Sequence, residues 1–162
     1  MEEQVVTDKR PHVHIYTDGG AAPNPGTGGW AAVLLWGEKR REIRGGEVNT
    51  TNNRMEMTAA IEGLRALKRP CRVELHTDSQ YLQRGVTEWL PGWKRRNWRR
   101  KTGSIKNEDL WRTLDTLLEK HDITWRWVRG HAGDYWNERC DELVGESIGE
   151  LKRSGQDGIR YA

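Results

Sequence analysis

The sequence has few cysteines and no long apolar run, and these absences exclude several classes of protein. Only two of its 162 residues are cysteine, Cys71 and Cys140, so it is not a disulfide-rich secreted scaffold. No apolar run approaches the roughly 18–20 residues that a membrane span needs, and residues 1–10 contain no apolar signal-peptide core. We therefore expect a cytoplasmic protein with no membrane association, whose two thiols are reduced and buried.

Two familiar kinds of site are also missing from the sequence. It contains no cysteine–histidine cluster with zinc-finger spacing and no glycine–lysine loop of the Walker type. Its length suits one domain, which we place at residues 12–151, with flexible segments at 1–11 and 152–162. We expect a monomer with no obligate protein partner.

Positive charge is concentrated in one part of the chain. The net charge is only +3, but residues 94–101 carry six Lys or Arg side chains, and Trp89, Trp93 and Trp98 lie among or beside them. A charge run of this kind is commonly a solvated loop. Aromatic rings next to cations suit sugars and bases, however, so this block favours a surface for a polyanion such as a nucleic acid.

The hydrophobic pattern predicts a mixed α/β fold. Three apolar runs joined by glycine-containing connections predict an antiparallel meander, and two later runs that follow helix-like segments predict strands parallel to the first. The predicted strands are residues 12–18, 30–36, 39–47, 72–78 and 123–128. The predicted helices are 52–67, 79–85, one from 87 into the basic block, one from 107, and 137–151, with Thr51 or Asn52, Ser79, Asn107 and Asn137 at their starts. The expected fold is a five-stranded mixed sheet flanked by helices.

Four acids occur in separate parts of this pattern. Asp18 and Asp78 end predicted strands, and Glu56 and Asp141 fall on the core-facing sides of helices, with Asp141 in the first turn. Each has an ordinary interpretation as a turn, cap or first-turn residue. If the strands are neighbours, however, all four meet at one sheet edge, where mutual repulsion favours a bound cation. Oxygen ligands suit Mg²⁺, and two such ions about 4 Å apart can promote phosphodiester hydrolysis.

One histidine has an unusual setting. His131 lies between glycines in Gly130-His131-Ala132-Gly133, ten residues before Asp141. A histidine there packs poorly but can move, so it suits proton transfer or assistance to a leaving group. An exposed loop histidine is the ordinary alternative. The other four histidines are interpreted as structural.

Six short motifs occur in order along residues 12–149. They are Thr-Asp-Gly; Asn-Pro-Gly followed by Gly-Gly; Thr-Thr-Asn-Asn-Arg-Met-Glu; Thr-Asp-Ser-Gln-Tyr; Gly-His-Ala-Gly; and Asn-Glu-Arg-Cys-Asp-Glu-Leu. In identity and spacing they resemble bacterial type 1 ribonuclease H. The resemblance implies a ribonuclease H-like fold and an endonuclease that hydrolyses the RNA strand of RNA–DNA hybrids, leaving 3′-hydroxyl and 5′-phosphate ends.

The resemblance also implies roles for single residues. The implied metal ligands are Asp18, Glu56, Asp78 and Asp141. They would bind two Mg²⁺ ions during catalysis, and Mn²⁺ could substitute for Mg²⁺. His131 would assist the reaction. Polar residues that sense RNA 2′-hydroxyls in the minor groove are Asn24, Asn52, Asn53 and Gln80. Thr51 and Arg54 match positions near a DNA-strand phosphate. The block Trp89–Lys101 matches the family's protrusion, which grips the DNA strand. Its candidate contact residues are Trp89, Trp93, Lys94, Arg95, Arg96, Trp98 and Arg99.

Two alternatives and one departure complete the sequence interpretation. A duplex-binding module without activity and a DNA-cutting nuclease of the same superfamily both fit the fold. The intact acidic set disfavours the first alternative, and the asparagine-rich groove and protrusion disfavour the second.

Many relatives carry His-Pro-Glu after Gly-His-Ala-Gly, where this chain has Asp134-Tyr135-Trp136. We expect that change to affect the His131 loop, the metal affinity or the pH optimum.

Overall fold

A computed structural model of the chain describes residues 9–99, 103–128, 134–154 and 160–161. Its central sheet has the strand order β5-β4-β1-β2-β3-β6, in which β1, β2 and β3 form an antiparallel meander and β4 and β5 run parallel to β1. The five predicted strands and their arrangement are confirmed. The strands are β1 (His12–Ala21), β2 (Gly26–Trp36), β3 (Lys39–Thr50), β4 (Arg72–Thr77), β5 (Asp122–Trp127) and β6 (Arg160–Tyr161).

The short β6 was not predicted. It pairs antiparallel with β3 at Arg44 and Gly45 and so extends the edge of the sheet. The flexible segments predicted at the two ends lie largely outside the described residues, and their mobility stays a prediction.

The helices are α1 (Asn52–Arg65), α2 (Gln80–Arg84), α3 (Leu90–Arg95), α4 (Glu108–Lys120) and α5 (Tyr135–Ser154). Thr51 and Ser79 cap α1 and α2 as expected, because their hydroxyls accept from the backbone N–H of Arg54 and Leu82. The helix predicted from near residue 87 into the basic block is α3, but it begins at Leu90 and is not separated from α2. A π-helical turn, Gly85–Trp89, joins α2 to α3 without a break.

Hydrogen bonds at the starts of α4 and α5 show that two predicted helix caps, Asn107 and Asn137, are wrong. Asn107 occupies the cap position of α4 but makes no side-chain cap bond there; its Nδ2 donates to the Tyr81 hydroxyl at 2.9 Å. The start of α5 is capped by Asp134, whose Oδ1 accepts from the backbone N–H of Trp136 and Asn137 at 3.1 Å each. Asp134, which departs from the family pattern, therefore has a structural role.

The sheet lies between two helical layers. On one face α1 and α4 cover the main core, which includes Ile15, Met55, Leu75 and Trp111. On the other face α5 packs on β1, β2 and β3 through a smaller cluster that contains Cys140. Cys71 and Cys140 are free and buried, as expected.

Among the described residues, no helix is both long enough and apolar enough to cross a membrane.

Candidate active site

Strand register places Asp18 beside Asp78. The parallel pairing of β1 and β4 ends at Tyr16 and His76, and each aspartate lies two residues after that last β1–β4 pair. The prediction that Asp18 ends its strand is wrong, because β1 continues to Ala21 and Asp18 pairs there with Ala31 of β2. Both carboxylates therefore lie where β1 and β4 separate, at the carboxyl end of their pairing.

Gly19 lets α1 approach this edge. A Cβ atom at Gly19 would stand 2.6 Å from the backbone nitrogen of Glu56 and would overlap the carbonyl group of Met55. The start of α1 thus lies directly on β1 next to Asp18. A glycine is needed here because of this close approach rather than because of its backbone angles.

Glu56 is held at the same edge by a hydrogen bond and by burial. Ser79 Oγ, one residue after Asp78, donates to Glu56 Oε1 at 2.7 Å. Burial raises the pKa of Glu56, the Ser79 hydrogen bond opposes that rise, and the charge of Asp78 adds to it. The raised pKa indicates a carboxylate whose negative charge is incompletely compensated by the protein.

The fourth acid comes from α5. Because α5 begins at Tyr135, Asp141 lies in its second turn and is exposed, so the predicted first-turn and core-facing position is wrong. The neighbouring Cys140 is buried, and its Sγ donates to the Tyr16 carbonyl at 3.3 Å. Burial raises the pKa of the Cys140 thiol, and the Asp18 carboxylate raises it further. This turn of α5 therefore lies against β1 close to Asp18.

Asp18, Glu56 and Asp78 thus lie at one end of the β1–β4 pairing, and the turn of α5 that carries Asp141 packs on β1 near Asp18. Within the described parts of the chain, only His12, His14 and Glu74 bring three potential ligand atoms within 4.8 Å of one another. His131, the predicted fifth member, lies outside the described residues.

Comparison with known proteins places this arrangement in a family. The family model for RNase H matches residues 10–148, which is most of the chain. The chain belongs to the ribonuclease H family.

Two sequence relatives match it over nearly their whole length, and a solved structure matches it over three quarters of its own. A Ribonuclease H of Thiobacillus denitrificans is 61% identical over 137 residues, covering 84% of this chain and 93% of that protein. A Ribonuclease HI of Caulobacter vibrioides is 56% identical over 139 residues, covering 85% and 93%. The crystal structure of LC9-RNase H1, a type 1 RNase H with the type 2 active-site motif, is 33% identical with a TM-score of 0.80, covering 90% of this chain and 75% of that one.

Two of the predicted minor-groove residues of this ribonuclease H family member hold the site together. Asn52 Oδ1 accepts from the backbone N–H of Ala21 at 2.7 Å, and Asn24 Oδ1 accepts from the backbone N–H of Asn52 at 3.0 Å. The loop after β1 is thereby fixed to the start of α1. Asn53 is half-buried, and Gln80 is exposed beside a depression of about 670 Å³ that Asp78, Gln83 and Trp127 also line. Hybrid contact by these residues stays a prediction.

The predicted phosphate residues lie together. Thr51 and Arg54 line a depression of about 340 Å³ with Pro25 and Asn49. The guanidinium of Arg54 donates to both carboxylate oxygens of Asp109, at 3.1 and 2.9 Å. This ion pair, which the sequence interpretation missed, orients Arg54 and reduces its net positive field.

The protrusion combines exposed cations with half-buried aromatic rings. Arg95, Arg96 and Arg99 are exposed, and Lys94 Nζ pairs with Asp115 at 3.0 Å and Glu119 at 3.3 Å. The aromatic members pack on the core rather than presenting free faces. The ring centroids of Trp89 and Trp93 are 6.0 Å apart, and those of Trp93 and Trp98 are 6.2 Å apart. Their packing is structural, and their contact with a hybrid stays a prediction.

Sequence reasoning missed several residues that shape the site. Ser79 was identified only as a helix cap, although its hydroxyl also binds Glu56. His12 and His14 were interpreted as structural, although they form a cluster with Glu74. The His-Val-His spacing on a predicted strand was the signal for this pair, because it places two imidazoles on one face.

Proposed function

We propose that this protein hydrolyses the RNA strand of RNA–DNA hybrids and leaves 3′-hydroxyl and 5′-phosphate ends. Membership of the ribonuclease H family supports the reaction class. The observation that carries the proposal is the position of Asp18, Glu56 and Asp78 at one end of the β1–β4 pairing, with the turn of α5 that carries Asp141 packed on β1 near Asp18. Such a set is costly to maintain for binding alone, because its members repel one another.

The donor set fits divalent metal ions that prefer oxygen ligands. All four candidate ligands are carboxylates, which suits Mg²⁺ and, as a substitute, Mn²⁺. The raised pKa of Glu56 supports this fit. Burial and the Asp78 charge both disfavour the ionised carboxylate, and a bound cation would stabilise it. We propose that these four residues hold two Mg²⁺ ions. When bound, the ions would activate water and stabilise the oxygen that leaves phosphorus.

The remaining predicted residues have proposed roles on either side of the acids. His131, ten residues before Asp141 in the sequence, moves a proton or assists the leaving group. Asn24, Asn52, Asn53 and Gln80 sense 2′-hydroxyls on the RNA strand, while Thr51, Arg54 and the protrusion contact phosphates of the DNA strand. The phosphate contacts supply affinity without sequence preference. A cytoplasmic monomer remains the working expectation.

Digestion of matched duplexes tests the proposal. The protein is incubated in Mg²⁺ with labelled RNA–DNA hybrid, RNA duplex and DNA duplex of one sequence, with a chelator control and the Asp78→Asn variant. We expect cleavage of the hybrid's RNA strand alone, and none with chelator or with the variant. Hybrid that is bound but not cut would instead identify a binding module, and preferential cutting of the DNA duplex would identify a DNA nuclease.

A further inference from the structure

A second group of potential metal ligands lies on the face of the sheet that α5 partly covers. His12 and His14 are two residues apart on β1, so both side chains project from the same face. Glu74 of β4 lies directly opposite His14 in the parallel register. Two strands therefore fix the positions of three ligand-bearing residues.

The ligand atoms of this group are close enough to share an ion. Nε2 of His12 lies 2.7 Å from Glu74 Oε2, and Nε2 of His14 lies 3.5 Å from the same oxygen. Ligands bound to one zinc ion at 2.0–2.2 Å stand about 3–4 Å from each other. Small side-chain movements would therefore bring the three residues around a common ion. The imidazoles are also accessible, with side-chain exposures of 42% and 38%.

Neighbouring side chains orient these ligands. Arg126 Nε donates to Glu74 Oε1 at 2.9 Å, which leaves Oε2 directed toward the imidazoles. His14 Nδ1 and His76 Nε2 share a hydrogen bond at 3.0 Å, so the His14 ring is held with its Nε2 free to face the same point. Hydrogen bonds of this second layer fix ring orientation at known metal sites.

We propose that His12, His14 and Glu74 form a binding site for a divalent transition metal ion of the Zn²⁺, Co²⁺ and Ni²⁺ class. Two imidazoles and a carboxylate suit these ions, whereas Mg²⁺ prefers an all-oxygen set. Three protein ligands leave further coordination positions to water. His14 and Glu74 are four residues before Asp18 and Asp78, which is about 13 Å along the strands. No single ion can serve both sites.

Calorimetric titration with Zn²⁺ tests the proposal in the full chain. The Asp78→Asn background and an excess of Mg²⁺ remove competition from the candidate active site. We expect one Zn²⁺ to bind, and the affinity to fall at least tenfold in His12→Gln, His14→Gln and Glu74→Gln. Asp122→Asn removes a different exposed acid, at the start of β5, and should leave the affinity unchanged.

Co²⁺ provides a second readout, because the position and intensity of its visible absorbance change when imidazole nitrogens replace water in its coordination sphere. The band should shift and intensify on addition of the background protein and stay that of aqueous Co²⁺ with the single histidine variants, whose folding is checked by circular dichroism. Equal Zn²⁺ affinity in background and histidine variants would overturn the proposal, as would displacement of Zn²⁺ by the Mg²⁺ excess. In either case His12, Glu74 and Arg126 would form only a cross-strand ion-pair network.

Discussion

At the scale of single residues, Glu56 has opposing effects on stability and on the proposed activity. Its carboxylate is partly buried beside Asp78, and both circumstances disfavour the charged form. Glutamine has nearly the same shape and its amide oxygen can still accept from Ser79 Oγ. The charge is therefore the one property that Glu56→Gln removes.

We predict that Glu56→Gln stabilises the metal-free protein and abolishes its Mg²⁺-dependent cleavage. In chelator at pH 7, Tm should rise by roughly 2–4 °C, the shift that about 1 kcal/mol gives in a chain of this size. Cleavage should fall about a hundredfold or more, since even the outer partners of metal ligands are worth about 10–100-fold. Thermal unfolding and a hybrid cleavage assay measure the two effects.

Glu62 provides the matched control on the same helix. It pairs with Arg65 at 3.0 Å rather than with another acid, so Glu62→Gln should lower Tm slightly and leave cleavage intact. A Tm that falls in Glu56→Gln, or cleavage that survives there, would contradict the role given to this carboxylate.

We predict that Gly19→Ala destabilises the protein and impairs cleavage. The added methyl group would meet backbone atoms of Met55 and Glu56, which cannot move without shifting α1 away from β1. Such overpacking costs about 1–3 kcal/mol, and the displaced Glu56 should reduce kcat. Chemical unfolding and steady-state kinetics test both effects.

Gly145→Ala is the control for that substitution. Gly145 lies within α5, and a Cβ atom there would meet nothing within 4 Å. Because alanine is favoured over glycine in a helix by roughly 0.5–1 kcal/mol, this variant should be stabilised. Equal effects of the two alanines would show that the Gly19 contact is not important.

At the scale of elements, the protrusion presents its cations from a base of packed aromatic rings. Asn97 and Trp98 both adopt positive φ angles in the turn that ends α3. That turn brings the Trp98 ring onto Trp93 and under the guanidinium of Arg112, which lies 4.7 Å from the ring centre. The arginines around the turn are therefore displayed from a packed base.

We predict that the triple substitution Arg95→Gln, Arg96→Gln and Arg99→Gln raises KM for hybrids and leaves kcat nearly unchanged. Each lost phosphate contact should also reduce the slope of log affinity against log salt concentration by about one. Kinetics at several salt concentrations measure both quantities. Lys94→Gln should have a smaller effect, because Asp115 and Glu119 already compensate that charge. An unchanged salt slope in the triple variant would remove the protrusion from the binding surface.

Element boundaries show what could be predicted from the sequence and what could not. The strands were predictable because alternation marks one buried face, as in Val13, Ile15 and Thr17. The true end of β1 was not, because its pairing with β2 continues after its pairing with β4 stops. The continuous path from α2 to α3 was also hidden, since a π-helical turn leaves no distinctive sequence pattern.

The candidate site shows the same division. The four acids were recognisable because each stands in a local motif, and the register then places Asp18 beside Asp78. Partnerships between distant side chains were not predictable. Such pairs depend on how separate elements pack, which no local pattern encodes. They are Arg54 with Asp109, Ser79 with Glu56, and His12 with Glu74.

At the scale of the whole molecule, the position of α5 determines whether the fourth acid joins the other three. Ion pairs hold α5 to β3 near both of its ends. Arg139 donates to both carboxylate oxygens of Glu42 at 2.8 and 3.0 Å, and Arg44 binds Glu150 at 2.9 Å. The buried Cys140 and Val144 fill the space between these pairs. Loss of the ion pairs should therefore loosen the layer that carries Asp141.

We predict that acid weakens this attachment within a defined pH range. The hydrogen bond from Arg139 lowers the pKa of Glu42 below its ordinary value of 4.5, and the bond from Arg54 likewise lowers that of Asp109 below 3.8. A carboxylate with a lowered pKa in the folded state stabilises that state above its unfolded pKa, and this stabilisation is lost as pH falls through the folded value. The contribution of these two carboxylates to Tm should therefore be nearly constant from pH 7 to 5 and decline below about 4.5.

Glu42→Gln isolates the contribution of the α5 attachment to this decline. The variant has no carboxylate to protonate at this position, so its Tm should be lower at pH 7 and should change less steeply below pH 4.5. Glu56 acts in the opposite direction and at higher pH, because its raised pKa means that the folded state gains stability as pH falls through the folded value toward 4.5; Glu56→Gln should lack this gain. Thermal unfolding of the three proteins between pH 3 and 7 measures these slopes. Parallel curves for all three would show that neither carboxylate contributes to the pH dependence.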